Sequence, residues 1–196
     1  IWDETDVILV DTGIPGQLQV IREHLDQRSL PFTRLSKVII THHDLDHIGS
    51  LPEIANSSSH PMEILSHELT KPYIEGEKPL IKKGFAVTPT KVDATFADGD
   101  WLPYCGGITV VFTPGHTPDH TSFYHHPSKT LISGDALIAN DGRLFHPNRQ
   151  FTLDMDTAIQ SIEKFLDYDI ETVICYHGGV CKGRIKQRLA ELASRL

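Results

Sequence analysis

Val38-Ile39-Ile40-Thr41-His42-His43-Asp44-Leu45-Asp46-His47-Ile48-Gly49 joins a short apolar run to a dense group of imidazoles and carboxylates. The run Val38–Thr41 is bounded and β-branched, the pattern of a buried strand. If the chain stays extended beyond it, residues 42, 44 and 46 point to one side. A turn after Asp46 then brings His47 into the same space, with Leu45 toward the core and His43 away. His42, Asp44, Asp46 and His47 are thereby four candidate metal ligands.

Working outward, other apolar runs end the same way. Val7–Val10 stops at Asp11-Thr12-Gly13, and Ile108–Phe112 at Thr113-Pro114-Gly115-His116. Ser122–His125 and Thr130–Ile132 read as paired strands, the second ending at Gly134-Asp135. Thr172–Cys175 runs into Tyr176-His177-Gly178-Gly179. Strands that end at one sheet edge gather such residues on loops held by a rigid scaffold. His42, Asp44, Asp46, His47, His116, Asp135 and His177 are too many donors for one four-coordinate ion. They suit two ions roughly 3.5–4 Å apart that share a carboxylate and a hydroxide.

Between the strands, Leu18, Ile21 and Leu25 recur at helical spacing, and Pro31 closes that segment. Leu51–Ala55 reads as a short helix, Asn56–Ser59 as a loop and Glu63–Leu65 as a strand. Ser66–Glu75 reads as helix limited by Pro72. From Gly76 to Asp100 the sequence is rich in turns. Asp156–Tyr168 is an amphipathic helix with Ile159, Ile162, Phe165 and Leu166 on one side, and Ile185, Leu189, Leu192 and Leu196 stripe a terminal one. With no linker, repeat or low-complexity tract, the economical reading is one α/β domain over residues 1–196.

Composition narrows the function. The 196 residues carry 18 Lys and Arg against 26 Asp and Glu, a net charge of −8. That balance argues against general nucleic-acid binding, which depends on neutralising phosphates. No stretch approaches the ~18 apolar residues of a membrane span. Cys105, Cys175 and Cys181 are three in number without a CxxC pair. This excludes a complete set of internal disulfides and a thiolate zinc ribbon, and fits a reducing, cytoplasmic compartment. No signal peptide opens the chain. The twelve histidines are the unusual feature.

The five segments Val7–Gly13, Ile40–Gly49, Thr113–Thr121, Ser133–Asp135 and Tyr176–Gly179, in this order, resemble the metallo-β-lactamase-fold hydrolases. The resemblance implies a four-layer αββα sandwich with the site along one edge of its two sheets, and one more strand before Ile1. It implies that His42, Asp44 and His116 hold a first metal, and that Asp46, His47 and His177 hold a second. Asp135 bridges them, and a hydroxide between the ions is the nucleophile. Asp46 also shuttles the proton. Asp11 holds a ligand histidine in place. His43 and His120 pack or brace, while His60, His67, His125 and His126 face solvent.

One departure matters. The family usually reads His-x-His-x-Asp-His, and here the second His is Asp44. A carboxylate hardens the site, tilting it from zinc toward iron or manganese, although two zinc ions remain the first expectation. Flavodiiron proteins also carry a carboxylate there, so a diiron redox protein is one alternative, and a non-catalytic metal-binding domain another.

The substrate expected is a small-molecule ester, lactone or thioester. Acyl-homoserine lactonases carry Tyr where this chain has Ile138, and Asn140-Asp141-Gly142-Arg143 only partly echoes the basic, Gly-rich stretch of glyoxalase II. Arg143, His146 and Arg149, with Tyr73, Phe85 and Phe151, are candidate pocket residues. An Arg there could hold a substrate carboxylate.

Overall fold

In the computed structural model, β1 (Val7–Val10), β2 (Leu35–Ile40), β3 (Glu63–His67) and β4 (Ala94–Phe96) form a parallel sheet in that order. The structure describes residues 1–58, 60–82 and 87–194. Phe85 and Leu196, both named above, lie outside the described residues, as does Ser59 of the expected loop. The chain divides into two compact units, Ile1–Phe96 and Ala97–Leu196. Among the described residues no helix is long and apolar enough to cross a membrane.

The first unit is the parallel sheet with its helices. Helix α1 (Leu18–Asp26) connects β1 to β2. Helices α2 (Leu45–Ile48) and α3 (Leu51–Ser57) connect β2 to β3, and α4 (Lys71–Ile74) follows β3. Leu35, Val38, Ile40, Ile48, Leu51, Ile54 and Ile64 share one buried cluster. Parallel pairing puts the C-terminal ends of all strands at the same edge. Asp11 and His42 therefore leave their strands side by side, at the edge where open α/β sheets bind ligands.

The second unit has a six-stranded sheet of β5 (Trp101–Leu102), β6 (Ile108–Phe112), β7 (Thr121–His125), β8 (Thr130–Gly134), β11 (Thr172–Cys175) and β12 (Gly179–Lys182). Its spatial order is β12-β11-β8-β7-β6-β5. A hairpin, β9 (Ile138–Asn140) and β10 (Arg143–Phe145), precedes helix α5 (Met155–Glu163), and α6 (Ile185–Ala193) follows β12. Leu131, Ile162, Phe165, Val173, Ile185 and Leu189 belong to one core. Strand β7 is antiparallel to both β6 and β8, and β8 is parallel to β11. Strands β6, β8 and β11 thus point the same way, and the residues that follow them leave from one edge. Those residues include His116, Asp135 and His177.

Several local expectations change. The chain is extended only through Asp44 (φ −62°, ψ 145°), and Asp46 and His47 ride on the single-turn helix α2. The Asp44 carbonyl accepts the N–H groups of His47 (2.9 Å) and Ile48 (3.1 Å), which closes that turn. Ile48 enters the core, while Leu45 is only half-buried. Ser66 and His67 continue β3 because they pair with Thr95 and Phe96, which confines α4 to one turn. Helix α3 extends through Ser57. Beyond Glu163 the chain tightens into a 3-10 turn, Lys164–Asp167, where Lys164 Nζ reaches the Phe112 carbonyl (2.7 Å).

Of the four histidines expected to face solvent, none is fully exposed: His60, His125 and His126 are only partly exposed, and the fourth lies inside. His67 is buried, its Nδ1 accepting the Leu69 N–H (3.1 Å). His60 Nε2 donates to the Leu35 carbonyl (2.8 Å) and His125 Nε2 to the Cys105 carbonyl (2.8 Å). His126 Nε2 meets the Thr109 hydroxyl at 2.7 Å, and burial pushes its pKa below the usual histidine range.

Candidate metal centre

In the first unit Asp11 braces the two histidine donors, one directly and one through Thr41. Its carboxylate accepts the Thr41 N–H and the Thr41 hydroxyl, both at 2.8 Å, and its Oδ2 lies 2.8 Å from His47 Nδ1. An ionised carboxylate can only accept, so His47 carries a proton on Nδ1, and the neutral ring then has its lone pair on Nε2. That Nε2 lies 3.7 Å from Asp46 Oδ2. Next to it, His42 Nδ1 contacts the Thr41 hydroxyl (2.9 Å) and Nε2 stands 3.2 Å from Asp44 Oδ2. The two imidazoles are 4.0 Å apart between ring centroids. His42, Asp44 and His47 are buried, and Asp46 is partly exposed.

In the second unit one carboxylate oxygen gathers two rings. Asp135 Oδ2 lies 3.3 Å from His116 Nε2 and 3.4 Å from His177 Nε2. His120 braces this arrangement: its Nδ1 lies 3.1 Å from the Thr113 carbonyl, and its Nε2 accepts the Asp135 N–H at 3.0 Å. The His116 loop is tied to the chain entering α5, with Leu153 N–H on the His116 carbonyl (3.2 Å) and Asp154 N–H on the Gly115 carbonyl (2.9 Å). Asp154 then caps α5 by accepting the Thr157 N–H at 3.0 Å, which holds its carboxyl below the usual range. His177 is half-exposed.

The donor chemistry fits cations. His47 Nε2 and Asp46 Oδ2 both present lone pairs, and such atoms approach when a positive charge lies between them. Two donors bound to one ion at about 2.1 Å each stand roughly 3.0–3.4 Å apart at octahedral or tetrahedral angles. The Nε2–Oδ2 separations of 3.2, 3.3 and 3.4 Å match that spacing, and 3.7 Å slightly exceeds it. Asp11 on His47 is the outer carboxylate that orients many metal-binding imidazoles.

Sequence reasoning missed Lys82, whose ammonium pairs with Asp44 Oδ2. It comes from the turn-rich stretch, where no spacing or periodicity marks it. His43 lies stacked on Tyr73, with ring centroids 4.0 Å apart. The proposed pocket residues divide. Arg143 and His146 line a cavity of about 380 Å³ with Arg188 and Glu191 of α6. His146 Nε2 donates to the Leu192 carbonyl (2.8 Å), a structural bond. Arg149 and Phe151 are exposed. The thiols are no rival donors: all three cysteines are buried, and burial pushes Cys175 up to about 12.

The chain is similar to known proteins over most of its length. The family model of the metallo-beta-lactamase superfamily matches residues 1–177. A probable metallo-hydrolase of Bacillus subtilis, YflN, is 30% identical across 96% of this chain and 82% of its own length. A hydroxyacylglutathione hydrolase of Idiomarina loihiensis is 36% identical over 89% of this chain, which spans 57% of that protein. Among solved structures, the metallo-beta-lactamase family protein TTHA1429 of Thermus thermophilus superposes with a TM-score of 0.73. It covers 99% of this chain at 21% identity, a likeness of fold. Matched by that family model over nearly its whole length and sharing an α/β fold with such proteins, the chain is a hydrolase of the metallo-β-lactamase superfamily.

Proposed function

We propose that this chain hydrolyses a small-molecule thioester, ester or lactone at a centre of two divalent metal ions. His42, Asp44 and His116 would hold one ion, Asp46, His47 and His177 the other, with Asp135 between them. In this reading the two units work as one catalytic domain over residues 1–196, because the ligands come from both. The observation that carries it is a single carboxylate oxygen, Asp135 Oδ2, meeting two imidazole nitrogens at 3.3 and 3.4 Å. The relatives named hydroxyacylglutathione hydrolase make an S-acyl glutathione the first substrate to try. Zinc is the ion proposed, with iron and manganese as the alternatives that Asp44 introduces.

When bound, such ions supply Lewis acidity, which acidifies water and polarises the substrate's acyl oxygen. The chain's residues do the rest. Asp46 offers two oxygens, so one can serve as ligand while the other accepts the proton of the attacking water. The water oxygen bonds to the acyl carbon and the acyl–sulfur (or acyl–oxygen) bond breaks. Asp46 returns its proton to the leaving group. Asp11 keeps His47 in the tautomer whose Nε2 can bind. His120 holds the backbone at Asp135.

Elemental analysis of the natively purified protein should give about two metals per chain. Asp46→Asn should keep the fold and abolish turnover on a panel of thioesters, esters and lactones. Full activity in that variant would remove Asp46 from the chemistry, and a protein purified without metal would remove the centre itself.

A further inference from the structure

Asp44 places a buried negative charge where the usual motif has a neutral imidazole, and Lys82 meets it. The Lys82 ammonium pairs with Asp44 Oδ2, the oxygen that His42 Nε2 also approaches at 3.2 Å. Asp44 is 5% exposed and Lys82 29%. The lysine's chain segment is moored beside the site. The Ile81 N–H reaches His43 Nε2 at 3.5 Å, and His43 lies flat on Tyr73 of α4. A buried carboxylate without a cation is costly, and an ammonium at contact distance cancels most of its field. A carboxylate has about four lone-pair sites, enough to serve an ammonium and a metal ion together.

We propose that Lys82 is a positioning residue that neutralises Asp44, so that the first metal site keeps the charge of an all-imidazole site and prefers zinc. The inference rests on the two-metal reading above. In it, Asp44 and Lys82 act as one neutral unit in place of a histidine. Neither member can then be changed alone without unbalancing the site.

The test is a charge-swap cycle on the full chain: wild type, Lys82→Met, Asp44→His and the double variant, with Lys82→Arg as the conservative control. Zinc and manganese affinities are read by competition with a chelator, and folding by circular dichroism. Lys82→Met removes the ammonium that pairs with the carboxylate, and should shift the balance toward manganese by about tenfold or more. Lys82→Arg should keep the wild-type ratio. Asp44→His removes the carboxylate that Lys82 pairs with and leaves its positive charge beside the site, and should weaken zinc binding by about tenfold or more. Adding Lys82→Met should restore that binding, with zinc preferred.

Additive losses without rescue would overturn the proposal, as would a wild-type zinc-to-manganese ratio in Lys82→Met. If Asp44→His does not fold, the ratios in Lys82→Met and Lys82→Arg decide. Two ions in the wild type with an additive cycle would sink only the role of Lys82. A wild type that binds no metal would sink the metal centre, and this role with it.

Discussion

Asp11 shows how much one side chain can fix. It adopts φ +59°, a left-handed conformation that costs a residue with a Cβ roughly 1–2 kcal/mol. Its three contacts at 2.8 Å, to Thr41 N–H, Thr41 Oγ1 and His47 Nδ1, hold it there. Asn also tolerates that backbone and can still accept from Thr41, so Asp11→Asn should fold. It loses the anionic acceptor on Nδ1, however, and no longer fixes the His47 tautomer. We expect metal affinity to fall by about 10–100-fold at the site His47 serves. Zinc titration checks this, and wild-type affinity in Asp11→Asn would show that the carboxylate does not set the imidazole. The sequence already pointed to Asp11, because it ends the first apolar run as His42 follows the second. Lys82 gave no such sign, since its partner is set by tertiary folding alone.

At the scale of elements, the legible parts were those whose local pattern agrees with their tertiary setting. Strands β1, β6 and β11 are short apolar runs ended by turn residues, and β2 ends in one, Val38–Ile40, after starting earlier than expected at Leu35 and stopping before Thr41; each delivers its polar residue to a sheet edge. The illegible parts were too short to carry a period. Helix α2 is one turn held by the Asp44 carbonyl, and β4, β5, β9 and β10 have two or three residues each, defined by their partners. The break after β11 was legible from Gly178-Gly179, but not the unequal demands on these two glycines, the second of which opens β12. Both have positive φ, +95° and +92°. A Cβ at Gly178 would lie 1.6 Å from the Ala139 carbonyl oxygen, while one at Gly179 meets nothing within 4 Å. The Ala139 N–H also donates to the His177 carbonyl (3.0 Å), so displacing Ala139 displaces His177. Gly179→Ala should therefore show only the backbone cost of about 1 kcal/mol. Gly178→Ala should cost well above about 2 kcal/mol and lose one metal per chain. Urea titrations and elemental analysis of the pair check this. Equal effects would mean that the close approach to Ala139 is not what orients the loop.

Over the whole molecule, the proposed centre links metal to stability. Ions held by the proposed ligands would bind the native chain and not the unfolded one. Each site then adds about 2.7 kcal/mol when free metal is a hundredfold above its Kd. For a chain of this size that is roughly 5–10 °C in Tm per site. His177 gives a clean probe because its side chain is 51% exposed, so His177→Ala opens no cavity. Metal-free wild type and metal-free His177→Ala should melt within about 1 °C of each other, as surface substitutions do. Zinc should raise the wild type by both increments and the variant by one. Calorimetry of chelator-stripped and zinc-reloaded protein reads both numbers. The net charge of −8 makes some unspecific response to any dication expected, so magnesium at equal concentration is the reference. If zinc raises the variant as far as the wild type beyond that reference, His177 is not a ligand, and the proposed second ion loses one of the two donors assigned to it from the second unit.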